Sequence, residues 1–82
     1  MQGDTMDISI TDIEEGRKAI ISGLKGGLGF QMRLRNMGIR EGKTVTIVTK
    51  HPFNGPLVVE VDGRTTTIGR GMAGRIIVRV EA

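Results

Sequence analysis

Three consecutive segments decide the fold, and they read TVTIVT at residues 44–49, LVVEV at 57–61 and RTTTI at 64–68. In each segment β-branched residues recur at every second position, which is the pattern of a strand with one face in a core. The pair Asp62-Gly63 joins the last two segments at two-residue spacing, the strongest short-range signal for a β-hairpin. The stretch 43–69 is therefore predicted to form three antiparallel strands in sequence.

Three further strands and one helix flank this unit. The weaker strand patterns lie at 7–10 and 17–24, and a clear one lies at 75–80. Between them, apolar side chains at positions 30, 34 and 37 follow the i, i+4, i+7 spacing of a helix face. Gly38 then provides a left-handed stop, so the spacing predicts a helix over 28–37.

Five or six short strands interrupted by one short helix predict an all-β fold, a small antiparallel barrel. A chain of 82 residues has too little core for two separate packed sheets, and closure protects the sheet edges. We expect a flexible N-terminus over 1–5 and one domain over 6–82. The expected barrel lining is Val45, Ile47, Leu57, Val59, Val61, Ile68, Ile76, Val78 and Val80.

The charge and the aromatic content of the chain argue against a protein that binds single-stranded nucleic acid. The chain carries 12 basic and 9 acidic residues, no cysteine and two aromatic residues, Phe30 and Phe53. The basic residues are scattered, and a protein that stacks single-stranded bases uses more rings. No targeting signal or membrane span is evident, so we expect a soluble, cytoplasmic protein. Nucleic-acid binding through a folded basic patch remains the alternative.

The glycine-rich stretch Gly69-Arg70-Gly71-Met72-Ala73-Gly74 matches the G-x-G-x-x-G spacing of dinucleotide-binding loops. That motif requires a βαβ unit, and too few residues follow it to build one. We therefore interpret the stretch as a tight structural turn, with at least one of its glycines at positive φ.

The sequence offers few residues that could bind a metal ion or act as catalytic groups. His51 is the only histidine, and it would need Glu60 or Asp62 to complete even an open metal site. No cysteine is available as a nucleophile, and no G-x-S-x-G elbow frames Ser9 or Ser22. We expect no enzymatic activity and no required cofactor, with weak transition-metal binding left open.

Four blocks of the sequence resemble the FeoA domain family. The stretch 33–43, RLRNMGIREGK, resembles the family's R-L-x-x-M-G-I-x-x-G signature. Residues 52–63 resemble its second block and residues 68–78 its third, while residues 10–21 fit its opening strands. The resemblance spans about residues 6–81, nearly the whole chain.

This resemblance implies an SH3-like barrel that serves as an accessory to ferrous-iron uptake. The implied partner is a membrane ferrous-iron permease, FeoB-like, which carries a cytosolic GTPase domain, and the protein would act at the inner face of the membrane. Loops and the inserted helix of a rigid scaffold are the natural docking elements. The candidate partner-binding residues are Met32, Arg33, Leu34, Met37 and Phe53. For Leu34 and Met37 the alternative is plain packing of the helix against the barrel. A metal-responsive regulatory module remains a further alternative.

Overall fold

The computed structural model describes residues 4–81, and these form one six-stranded antiparallel sheet. The strand order across the sheet is β1-β6-β2-β3-β4-β5. The strands are β1 (Thr5–Ser9), β2 (Lys18–Leu24), β3 (Thr44–Lys50), β4 (Leu57–Val61), β5 (Arg64–Ile68) and β6 (Ile76–Glu81). The predicted antiparallel strands with one inserted helix are confirmed. Most of the predicted flexible N-terminus lies outside the described residues, and Thr5 belongs to β1.

The core is built from the alternating positions of these strands. All nine residues expected to line the barrel are buried. Within residues 4–81 no polar or charged side chain is buried. The remaining buried side chains are also aliphatic, and they are Ile10, Ile13, Ala19, Ile21, Leu24, Leu34, Ile39 and Ala73. Apolar burial is therefore the main driving force that holds this sheet together.

Irregular pairing at two places curves the sheet. The register between β2 and β6 shifts between Ile21 and Gly23, and that between β3 and β4 shifts between Ile47 and Thr49. A bulge adds one residue to one strand and increases the local twist, which lets a short sheet wrap around its own core. The second bulge leaves Val48 exposed on the outer surface.

The β4–β5 connection has the geometry that its sequence predicts. Asp62 and Gly63 both adopt positive φ, at 54° and 80°. Positive φ at both central residues is the requirement of a type I′ turn, whose twist matches that of the flanking strands. Val61 and Arg64 pair directly across it.

Helix α1 spans Leu28–Asn36, and the predicted glycine stop, Gly38, follows its C-cap residue Met37. Gly38 has φ 88°, its N–H donates to the Arg35 carbonyl at 3.0 Å, and the Ile39 N–H donates to the Leu34 carbonyl at 3.0 Å. This pair of bonds is a Schellman motif, which satisfies the last carbonyls of the helix. Leu34 and Ile39 are both buried, so the helix end is fixed to the core.

The glycine-rich stretch 69–74 forms a single helical turn, α2 (Arg70–Ala73). The prediction of a positive φ in this stretch is wrong: Gly69 has φ −60° and Gly74 has φ −59°, and Gly71 is not in the left-handed region either. The chain bends here by entering a helical turn, which any residue can adopt. Ala73 of this turn is buried, and Met72 packs against the core.

Alanine at two glycines should therefore have opposite effects on the free energy of unfolding. Gly71→Ala should stabilise by about 0.5 kcal/mol, because φ is helical and a Cβ there meets nothing within 4 Å. Gly38→Ala should destabilise by about 1 kcal/mol, because a Cβ is disfavoured at positive φ. Urea denaturation of both variants measures the difference, and a destabilised Gly71→Ala would show that α2 needs its glycine.

Candidate functional site

The first exposed surface is the β3–β4 loop, residues 51–56, which we call the loop surface. Phe53 lies at its tip with 98% of its area accessible. Phe53 and Asn54 both have φ 59°, in the left-handed region that bulky residues rarely occupy. A large aromatic side chain is thus held away from the core.

Hydrogen bonds from two directions fix this loop. The His51 N–H donates to the Pro56 carbonyl and the Gly55 N–H to the Pro52 carbonyl, both at 3.1 Å. From α2, the Arg70 guanidinium donates to the Gly55 carbonyl at 3.0 Å and to the His51 carbonyl at 3.2 Å. Arg70 therefore connects both ends of the loop, and Phe53 is presented by an ordered backbone.

The second exposed surface is the outer face of α1, which we call the helix surface and define as Leu28, Met32 and Arg33. Leu28 is 71% exposed and Met32 is 53% exposed. Leu34 is 0% exposed, and Met37 is half-buried against the core. The proposal of Leu34 as a contact residue is therefore not compatible with this fold, because its side chain has no surface to offer.

The predicted contact residues are not gathered into one patch. Met37 and Gly38, at the end of α1, line a cavity of about 250 Å³ together with Val61, Asp62 and Arg64. The loop surface instead adjoins Leu57, at the other end of β4. Four residue steps of a strand span about 13 Å, so Phe53 and the C-terminal end of α1 lie at opposite ends of β4.

Two ion pairs border the C-terminal end of α1. Arg35 lies 3.0 Å from the Glu41 carboxylate, and Lys43 lies 2.9 Å from that of Asp62. The pKa of Glu41 is lowered, first by a hydrogen bond from its own backbone and then by the Arg35 side chain. Glu41 is therefore ionised at neutral pH and remains an acceptor for Arg35.

The weak metal candidates do not converge. His51 lies at the Leu57 end of β4, Asp62 at the opposite end, and the Asp62 carboxylate is paired with Lys43. Across residues 4–81, no group of three or more histidine, cysteine, aspartate or glutamate side chains is placed to hold a metal ion.

The serines considered for catalysis are engaged elsewhere. The Ser9 hydroxyl lies 2.8 Å from the Thr11 hydroxyl, and Ser22 bonds the Ile77 carbonyl at 3.4 Å. The first contact is local, and the second joins β2 to β6.

Two residues that form or support these exposed surfaces were not predicted from the sequence as site residues. Arg70 lies inside the glycine-rich stretch, and nothing in the sequence indicates that its side chain crosses to the β3–β4 loop. Leu28 could have been found, since it precedes Met32 by four residues and so shares its side of the helix. Among the described residues, no helix has both the length and the apolar character needed to cross a membrane.

The architecture is that of a small SH3-like barrel, and comparison with known proteins gives its family. The FeoA domain model matches residues 8–80. The curated Fe(2+) transport protein A of Methanocaldococcus jannaschii is 34% identical over 65 residues, covering 79% of this chain and 77% of that protein. The chain belongs to the FeoA family.

Solved structures agree with this assignment. The crystal structure of an iron uptake regulatory protein (FeoA) superposes with a TM-score of 0.83 at 34% identity, covering 90% of this chain and 97% of the other. The zinc complex of Stenotrophomonas maltophilia FeoA, described as a prokaryotic SH3 domain protein, has a TM-score of 0.74 at 21% identity and covers 90% and 96% of the two chains. A manganese-dependent transcriptional repressor shares the fold alone, at 14% identity and a TM-score of 0.78. The superposition covers 100% of this chain and 44% of the repressor chain.

Proposed function

We propose that this protein is an accessory of ferrous-iron uptake that docks on the cytosolic, GTPase-containing part of a ferrous-iron permease. Membership of the FeoA family supports the pathway, and relatives are named for Fe(2+) transport. The observation that best supports docking is the exposure of Phe53. This aromatic side chain is 98% exposed at the tip of a loop that Arg70 holds by hydrogen bonds. Acting there, the protein works at the inner face of the membrane.

The loop surface has the physical properties of a docking element. An aromatic ring that enters an apolar pocket of a partner contributes more than most contacts, since it buries a large rigid area. Because Arg70 and the loop's own bonds hold the backbone, little ordering cost remains to be met on binding. The C-terminal end of α1 lies at the opposite end of β4, so the proposed contact does not include it.

The direct test is whether the full chain binds the isolated cytosolic part of the permease, measured by calorimetry at low and high salt. An aromatic contact predicts an affinity that changes little with salt. If the chain were instead a nucleic-acid-binding protein, its affinity for nucleic acid would fall steeply as salt rises, because the contacts would be with phosphates. Failure of the wild-type chain to bind the permease would overturn the proposed function.

Arg70→Met should weaken docking about tenfold, because an unbraced loop must be ordered when it binds. Methionine keeps the aliphatic stem but donates no hydrogen bond to the carbonyls of Gly55 and His51. Faster hydrogen exchange at the Gly55 N–H, with an unchanged melting temperature, would report the loosened loop. Arg70→Lys, which keeps a donor, should recover part of the affinity. If the loop exchanged faster and docking stayed the same, the brace would be irrelevant to binding.

A further inference from the structure

The charges of this chain are unevenly distributed. Residues 16–40 contain six of the 12 basic residues and none of the 9 acidic ones. Helix α1 lies within this segment and carries Arg33 and Arg35 without a carboxylate of its own. The acidic residues precede or follow the segment, and of these Glu41 returns to the helix as the partner of Arg35.

The outer face of α1 combines apolar and cationic groups in a fixed order. At 100° per residue, Leu28 and Met32 lie within about 40° of one another around the helix, opposite the buried Leu34. Arg33 and Arg35 lie on opposite sides of this apolar ridge, at about 100° and 60° from Met32. The helix surface therefore contains a short ridge of two exposed apolar side chains, with Arg33 on one side and the Glu41-paired Arg35 next to it on the other.

Additional cations lie at both ends of the helix. Lys25 precedes the N-terminal end and is exposed. The Arg75 guanidinium stacks 4.8 Å from the centre of the Phe30 ring, which lies about 160° around the helix from Met32 on the core-facing side, so Arg75 is not part of the apolar ridge. Arg40 follows the C-terminal end and is exposed. Within residues 4–81, only Arg35 of these basic side chains has a carboxylate partner, Glu41. The surface therefore carries an uncompensated positive charge.

We infer that the helix surface binds an anionic lipid surface, with Leu28 and Met32 entering the headgroup region and Lys25, Arg33 and Arg40 meeting lipid phosphates. An apolar ridge flanked by cations is the arrangement of helices that lie in a membrane interface. Juxtamembrane basic residues are attracted to anionic leaflets in the same way.

The dimensions of α1 favour lipid over a protein partner for this surface. A nine-residue helix is about 13.5 Å long and about 10 Å wide, so its outer face is a small part of the ~800 Å² per partner that a stable protein interface buries. A lipid surface requires no matching groove and gains from each nearby cation separately. This inference does not require the permease, so its test and that of docking can fail independently.

The test is co-sedimentation of the full chain with vesicles of phosphatidylcholine that contain about one third phosphatidylglycerol, and with phosphatidylcholine alone. The wild type should bind only the anionic vesicles and dissociate as salt rises. Arg33→Gln should reduce partitioning about fivefold. The double variant Leu28→Ser/Met32→Ser should reduce it about tenfold or more, since buried methylene groups are lost.

Matched controls keep these results specific. Val48→Ser removes an exposed apolar side chain from β3, and Arg17→Gln removes an exposed basic residue just before β2; both should bind vesicles like the wild type. The melting temperature of every variant checks the fold.

Three outcomes would overturn the inference. The first is an absence of binding to anionic vesicles, and the second is unchanged binding by the serine double variant. The third is binding of random-sequence duplex DNA without binding of vesicles, which would assign the basic surface to nucleic acid.

Discussion

Leu34→Ala is expected to remove a large part of the free energy of unfolding of this chain. The Leu34 side chain is 0% exposed and lies in the aliphatic core, against which Phe30 of the same helix and Met37 just after it also pack. Truncating a fully buried leucine costs about 2–5 kcal/mol, from lost transfer free energy and from the cavity left behind. Small domains have about 5–15 kcal/mol of stability in total, and an 82-residue chain belongs near the lower end.

Met32→Ala is the matched control on the same helix. Methionine, leucine and alanine have similar helix propensities, so the two variants differ mainly in packing. Met32 is 53% exposed, and its removal should change the free energy of unfolding by less than about 0.5 kcal/mol. Urea denaturation followed by circular dichroism compares them. Equal stabilities would mean that α1 is not anchored by Leu34.

The strand architecture could be predicted because its signals are local. Alternation from Val45 to Val80 assigns each side chain to a face, and the structure buries every residue that the pattern placed inside. The Asp62-Gly63 turn and the Gly38 helix stop depend on backbone conformations that few residue types adopt, so their residues identify them. Such features follow from neighbouring residues alone.

Features that depend on long-range geometry could not be predicted. Helical spacing shows that positions 30, 34 and 37 share a face, but not how deeply each is covered, and only Leu34 is fully buried. The link from Arg70 to Gly55 spans 15 residues and has no periodic signature. For the same reason the sequence could not show that Phe53 and the C-terminal end of α1 lie at opposite ends of β4.

Glycine content misled the interpretation of residues 69–74. Three glycines in six positions indicated backbone strain, yet the stretch forms a helical turn with negative φ at Gly69 and Gly74. Gly26, by contrast, has φ 109°, and a Cβ there would lie 3.0 Å from the Phe30 ring. A glycine in the sequence shows only that the backbone can adopt positive φ there. Whether it does so is seen only in the structure.

Phe53→Asn is expected to abolish most of the docking while leaving stability unchanged. Phe53 makes no use of the core, since 98% of its area is accessible, so the fold loses nothing when it is replaced. Asparagine tolerates the left-handed conformation at φ 59°, so the loop keeps its shape. An aromatic anchor at the centre of an interface contributes about 2 kcal/mol or more, which corresponds to about a 30-fold loss of affinity.

Phe53→Tyr provides the positive control, because it keeps the ring and adds one hydroxyl group. Calorimetry with the permease's cytosolic part should give an affinity for this variant close to that of the wild type. The Asn variant should melt no lower than the Tyr variant, because asparagine tolerates the left-handed conformation better than an aromatic residue does. A lower affinity of the Asn variant therefore reports the aromatic contact and not the fold. Full binding by a well-folded Phe53→Asn variant would move the interface away from the loop surface, whereas equal losses in both variants would show that the pocket excludes any change at the ring.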